Sequence, residues 1–270
     1  MDKIMSRIDK KFKQLKDKNE KALVAFITAG DPSIDKSLNI LEAACRAGVD
    51  ILELGIPFSD PTADGPVIQR SSSRAINAGV NVKVVFEMVG QLRKRCGDDM
   101  PIILFSYYNP IFHYGVEAFC KDAMRAGADG ALIVDMPFEE KAEFEAFNDK
   151  AAFPLIHLVA PTTNGGRLDA ICRDAGGFIY MINRVGITGT GGVDSKSIRE
   201  NAARIKSRTS VPVCMGFGVS SPEDAKSIAP FAEGVVVGSL FEKTIEDNID
   251  ASNLPEIVAQ KAAAIKAVLK

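Results

Sequence analysis

Short apolar runs return along the chain at a steady interval, and helical patterns fill the gaps between them. The runs lie at 23–28, 51–54, 102–106, 130–134, 155–159, 178–182, 211–215 and 234–237. Each is nearly continuous in apolar residues, which is the pattern of a strand buried on both faces. The stretches 35–47, 82–95, 116–126, 139–147, 168–175, 195–206 and 222–228 instead repeat apolar residues at intervals of three and four. In the first of them Leu38, Leu41, Ala44 and Cys45 share one helical face. Asp31-Pro32 and Ser221-Pro222 read as helix starts with proline in the first turn, and Gly48, Gly127 and Gly176 sit where C-terminal caps belong. One more helix, at 4–15, precedes the first strand. Its Ile4, Ile8, Phe12 and Leu15 line one side and its lysines the other.

Buried strands alternating with helices imply a parallel sheet covered on both faces. Eight such units in about 240 residues fit a closed (β/α)8 barrel, a TIM barrel, as a single domain over 1–270. The extra N-terminal helix is expected to pack against the amino end of that barrel. An open doubly wound sheet would call for a dinucleotide fingerprint after the first strand, and Thr28-Ala29-Gly30-Asp31 does not supply GxGxxG.

Composition changes this picture little. The net charge of −2 and the 25% charged residues give no reason to expect a nucleic-acid or membrane surface. No run approaches 18 apolar residues, and the charged N-terminus is unlike a secretion signal. The five cysteines are widely spaced and form no CxxC pair, which suits reduced thiols in a cytoplasmic protein without a zinc site.

In a parallel barrel the chemistry lies at the carboxyl ends of the strands. The second strand ends in Glu53, inside an otherwise apolar run, and Asp64 follows on the loop GIPFSDPTADG. Glu53 either pairs with an arginine as a structural ion or serves catalysis. The ends of the last three strands are rich in glycine and hydroxyl groups, including Gly186, Gly189, Gly218, Gly238 and Ser239. One such turn alone is ordinary; three in succession suggest a phosphate held by backbone N–H groups and a helix dipole. No strand end carries a lysine for a Schiff base, and no HxH or HExxH motif suggests a metal. His113, in an aromatic loop, and His157, inside the fifth strand, read as structural. Phe26, Phe105, Tyr107, Leu132, Tyr180 and Phe217 would suit a flat aromatic group, although about half of them are expected to serve only as barrel core.

The motifs then resemble one family. LELGIPFSDPTADGPVIQ (52–69), FITAGDP (26–32), ALIVDMP (131–137), APTT (160–163), RVGITG (184–189) and GFGVSSPE (216–223) occur in the order found in tryptophan synthase alpha subunits. The resemblance implies a lyase of L-tryptophan biosynthesis that cleaves indole-3-glycerol phosphate to indole and D-glyceraldehyde 3-phosphate. It implies no cofactor in this chain, and a beta subunit carrying pyridoxal phosphate as partner in an alpha2-beta2 tetramer. A stand-alone lyase releasing free indole would share the same motifs. Carried over by position, Glu53 and Asp64 are the catalytic pair. Phe26, Tyr107, Leu132, Tyr180 and Phe217 form the substrate pocket, and Thr188 lies on a mobile loop. Gly189, Gly218, Gly238 and Ser239 bind phosphate; Pro57, Asp60, Asn109 and Asp135 face the partner; no residue binds metal. For this chemistry Glu53 should have a raised pKa and move a proton, while Asp64, on a polar loop, stays ionised.

Overall fold

The structure is a computed structural model that describes residues 5–182, 195–216 and 218–270. Eight parallel strands form one sheet: β1 (Ala22–Thr28), β2 (Ile51–Gly55), β3 (Ile102–Ser106), β4 (Gly130–Ile133), β5 (His157–Val159), β6 (Ile179–Ile182), β7 (Val213–Gly216) and β8 (Gly234–Val237). Their order, β4-β3-β2-β1-β8-β7-β6-β5, is that of a barrel opened between β4 and β5. A parallel bridge between Ala131 and Leu155 closes it. There the Ala131 N–H donates to the Pro154 carbonyl at 3.1 Å, and the Ala131 carbonyl accepts from the Ile156 N–H at 2.7 Å. Regular pairing in β5 starts only after this bridge, so the strand is shorter than the apolar run 155–159 suggested.

Strand alternation sorts the side chains into two layers. Leu52, Leu54, Ile102 and Leu104 point outward, into the layer shared with the helices. Val24, Ile51, Ile103, Leu132, Ile156, Tyr180, Cys214 and Val236 point inward and fill the barrel. The helix α1 (Arg7–Asp17), begun by a capping box of Ser6 and Asp9, adds Ile8, Phe12 and Leu15 to this inner cluster. Phe12 meets Phe178 with ring centroids 6.1 Å apart, so α1 plugs the amino end as expected.

The outer layer contains α2 (Ile34–Arg46), α3 (Pro66–Asn77), α4 (Val82–Cys96), α5 (Tyr108–Tyr114), α6 (Val116–Ala126), α7 (Ala142–Glu145), α8 (Gly165–Asp174), α9 (Ser195–Lys206), α10 (Pro222–Ile228), α11 (Ser239–Asp247) and α12 (Leu254–Ala267). Helices α6, α9 and α10 have the bounds their periodicity predicts. The stretch 139–147 does not form one helix but a short 3-10 turn followed by α7. Asp31-Pro32 does not start α2: that bond is cis, and Ser33 is the cap. Gly127 ends α6 in the left-handed region, but after α8 it is Gly177, not Gly176, that takes the positive φ. His113 lies on α5 rather than in a loop.

Candidate active site

Glu53 points into the barrel because it shares the inward register with Ile51, two residues before it. It pairs across the sheet with Phe26 on one side and Ile103 on the other. The side chain is completely buried. Among the described residues neither carboxyl oxygen has a hydrogen-bond partner, so no described arginine pairs with it. With nothing to offset desolvation, burial pushes the Glu53 pKa up to about 8.

Asp64 reaches the same cavity from the loop between β2 and α3. Its setting is more enclosed than a polar loop suggests. Only 8% of the residue is exposed, and its Oδ2 accepts the Tyr107 hydroxyl at 3.0 Å. That hydroxyl also accepts the Ala63 N–H at 2.9 Å, so one phenol pins both residues of the loop. Burial raises the Asp64 pKa to about 6, and the bond from Tyr107 opposes the rise. Asp64 is therefore ionised at neutral pH, as its proposed chemistry needs, but with a smaller margin than an exposed aspartate has.

The cavity is lined by Glu53 and Asp64 with Phe26, Phe105, Ile68, Tyr180 and Val236, and by Gly218, Gly238 and Ser239 opposite. It encloses about 590 Å³, counting the part open to solvent. The absence of a side chain at two glycines gives its aromatic wall room. A Cβ at Gly55 would stand 2.8 Å from the Phe26 ring, and one at Gly216 would stand 2.1 Å from the Tyr180 hydroxyl. Phe105 meets Phe26 edge-on at 5.0 Å.

Two expected pocket residues lie elsewhere. Leu132 is fully buried in the inner core and Tyr107 lies behind Asp64, and neither is on the cavity wall. Ile68 and Val236 are on the wall and were missed, because each looks like ordinary core. At the phosphate-suited end Gly218 has φ +88, and Gly238 precedes Ser239 at the first turn of α11. Thr188, Gly189 and Phe217 lie outside the described residues. Of the expected partner-facing residues, Asp60, Asn109 and Asp135 are exposed and Pro57 is buried. Asp135 also accepts the Tyr108 N–H at 2.7 Å, an acceptor for the start of α5.

His157 contacts Asp174 at 3.2 Å. Glu145, His157 and Asp174 are close enough to share a cation. Lys141 and Lys150 already bridge Glu145 and Asp174, which makes the group a structural ion network.

The two carboxyls predict a bell-shaped kcat/KM against pH. Activity should fall below about 6 as Asp64 gains a proton, and above about 8 as Glu53 loses one. Tyr107→Phe removes the bond that favours ionised Asp64, so its acid limb should move to higher pH with the alkaline limb unchanged. A limb that stays put would separate Tyr107 from the titration of Asp64.

Comparison with known proteins adds the family. The model of the tryptophan synthase alpha chain family matches residues 12–268. The chain is 52% identical over 266 residues to the tryptophan synthase alpha chain of Desulfosudis oleivorans, covering 98% of this chain and 100% of that one. It is 44% identical to that of Geobacter sulfurreducens, covering 97% and 98%. Among solved structures it resembles the tryptophan synthase alpha chain of Legionella pneumophila, with TM-score 0.89 and 33% identity over 98% of this chain and 97% of that one. It also resembles a chain of the M. tuberculosis tryptophan synthase, with TM-score 0.87 and 28% identity over 98% and 99%. The chain belongs to the tryptophan synthase alpha chain family.

Proposed function

We propose that Glu53 and Asp64 perform the alpha reaction of tryptophan synthase, the cleavage of indole-3-glycerol phosphate to indole and D-glyceraldehyde 3-phosphate. The reading rests on one observation above all: a buried carboxyl without a partner among the described residues shares a cavity with a second carboxyl and an anion-suited wall.

The carbon–carbon bond cannot break until the indole ring can accept its electrons. Protonated Glu53 gives its proton to C3, and the ring becomes an indolenine cation. The Asp64 carboxylate accepts the ring N–H and stabilises that positive charge. Glu53, now ionised, takes the proton of the side-chain hydroxyl next to the ring. The O–H electrons form the aldehyde C=O, the C–C pair returns to the ring, and indole leaves. Glu53 ends protonated, so one group serves both transfers and no cofactor is consumed. Burial suits it to this, since it holds its proton near neutrality.

The phosphate would lie against Gly218, Gly238 and Ser239. There a helix N-terminus and backbone N–H groups attract an anion without a lysine. A Cβ at Gly218 meets nothing within 4 Å, but its φ of +88 strains any L side chain, so Gly218→Ala, which carries the same strain without the charge, is the control. Gly218→Asp places a carboxylate against the phosphate and should raise KM at least about tenfold, with kcat less affected. Unchanged inhibition by glycerol 3-phosphate in that variant would show that the phosphate binds elsewhere.

The chain's family and the tryptophan synthase structures it resembles support a beta subunit as partner, with pyridoxal phosphate in that partner and an alpha2-beta2 assembly. Asp60 and Asp135 on loops and Asn109 in the first turn of α5 are exposed where the chain leaves the barrel at the active-site face, where a docked partner could also order the Asp64 loop. Five free cysteines suit a cytoplasmic enzyme.

A further inference from the structure

We infer that Glu242 is a positioning residue that fixes the phosphate-binding wall relative to the wall that carries Asp64. The inference rests on the phosphate site proposed above, and it begins where the barrel ladder ends. Strand β8 stops pairing with β1 at Val237, opposite Ala25. The chain then turns away through Gly238 into α11 to form one wall of the cavity. Strand β1 continues for three more residues, to Thr28. On that side the Thr28 N–H no longer faces a strand. Glu242, in the first turn of α11, fills the gap: its Oε1 accepts the Thr28 N–H at 2.6 Å. A surface glutamate in a first turn would only complement the helix dipole. This one is turned inward and completely buried.

The contact continues to the opposite wall. The Thr28 hydroxyl lies 2.7 Å from the Ser71 hydroxyl on α3. Ser71 in turn donates to the Ile68 carbonyl at 2.9 Å, and Ile68 lines the cavity. One hydrogen-bonded path thus runs from Gly238, whose carbonyl accepts the Glu242 N–H at 3.1 Å, through Glu242, Thr28 and Ser71, to the first turn of α3 just after Asp64. A second brace lies parallel to it. Arg74 of α3 binds both oxygens of buried Asp31 at 2.7 and 2.8 Å and reaches Glu246 of α11 at 3.1 Å. The second brace holds the two helices together in their last turns, whereas Glu242 acts at the end that faces substrate. Its other oxygen, Oε2, has no partner among the described residues, and burial favours the neutral acid. A neutral group is sufficient for the contact, because the Thr28 N–H needs only an acceptor.

The test compares Glu242→Leu, Glu242→Gln and Ser71→Ala with the parent. KM and kcat for indole-3-glycerol phosphate, inhibition by glycerol 3-phosphate and the thermal midpoint are measured for each. Glu242→Leu removes the acceptor and should raise KM and the inhibition constant about tenfold or more, with kcat within about threefold. Glu242→Gln keeps an acceptor and should remain within about threefold of the parent in KM. A lowered thermal midpoint in the Leu variant with unchanged KM and inhibition would make Glu242 merely structural and overturn the proposal. Equal impairment of the Gln and Leu variants would overturn it too. Should the Leu variant not fold, Ser71→Ala decides: a KM raised about threefold supports the path, and an unchanged KM refutes it. Gly218→Asp, assayed alongside, separates the two readings. If it weakens glycerol 3-phosphate and the Glu242 and Ser71 variants do not, the phosphate site stands and the role of Glu242 falls. If Gly218→Asp has no effect, the phosphate site itself is misplaced and the proposal falls with it.

Discussion

The Glu53→Gln protein is expected to fold, to bind indole-3-glycerol phosphate and to release indole at least about a hundredfold more slowly than the parent. The amide has nearly the volume of the acid and sits in the same buried space, but it cannot give a proton to C3. The loss should therefore appear in kcat rather than KM. The same substitution should also change how stability depends on pH. The folded state holds the Glu53 proton up to about pH 8, whereas an unperturbed glutamate releases it near 4.5. Between those values the unfolded chain binds fewer protons than the folded one, so this group makes stability fall as pH rises. Glutamine does not titrate, so the stability of the variant relative to the parent should rise by about 3 kcal/mol between pH 4.5 and pH 7. The gain should be small near pH 5 and larger at pH 8, as read from denaturant midpoints at the two values. Retention of more than about a tenth of the parent kcat would remove Glu53 from the proton transfers.

The second large effect belongs to Asp64. Asp64→Asn keeps a hydrogen-bond acceptor for the ring N–H but removes the charge that stabilises the indolenine cation. That cation exists only after C3 is protonated, so the cost falls mainly on kcat, by about a hundredfold. The Tyr107 hydroxyl can still donate to the amide oxygen, which keeps the loop in place. A kcat within about tenfold of the parent would mean that the ring's charge is met by another group.

Most of the barrel was legible because its strands are continuous apolar runs, and Glu53 stood out as the one carboxylate inside such a run. Asp64 was legible only from its loop. What the sequence hid was its anchor, since a tyrosine 43 residues away looks like one more aromatic wall residue. Helix α3 was missed because Ser71, Ser72 and Ser73 mask its apolar face; Ser71 and Ser72 are buried nonetheless, Ser71 against Thr28 of β1. Helix α5 was hidden by the proline of Tyr108-Asn109-Pro110, which sits in the first turn, where proline is tolerated. The start of β5 was misjudged because the barrel closes there through one bridge rather than a ladder. Glu242 could not have been found from sequence. At the start of a helix an acid signals a dipole partner, and only the early end of β8 turns it inward.

The most direct measurement is product release from indole-3-glycerol phosphate at neutral pH by the parent chain and its Glu53→Gln variant, each alone and with excess beta subunit. The parent should release indole and glyceraldehyde 3-phosphate in equal amounts, faster with the beta subunit present, and the variant should release neither at a comparable rate. Equal parent rates with and without the beta subunit would favour a stand-alone lyase. Absence of indole from the parent under both conditions, or equal release by parent and variant, would contradict cleavage by these carboxyls.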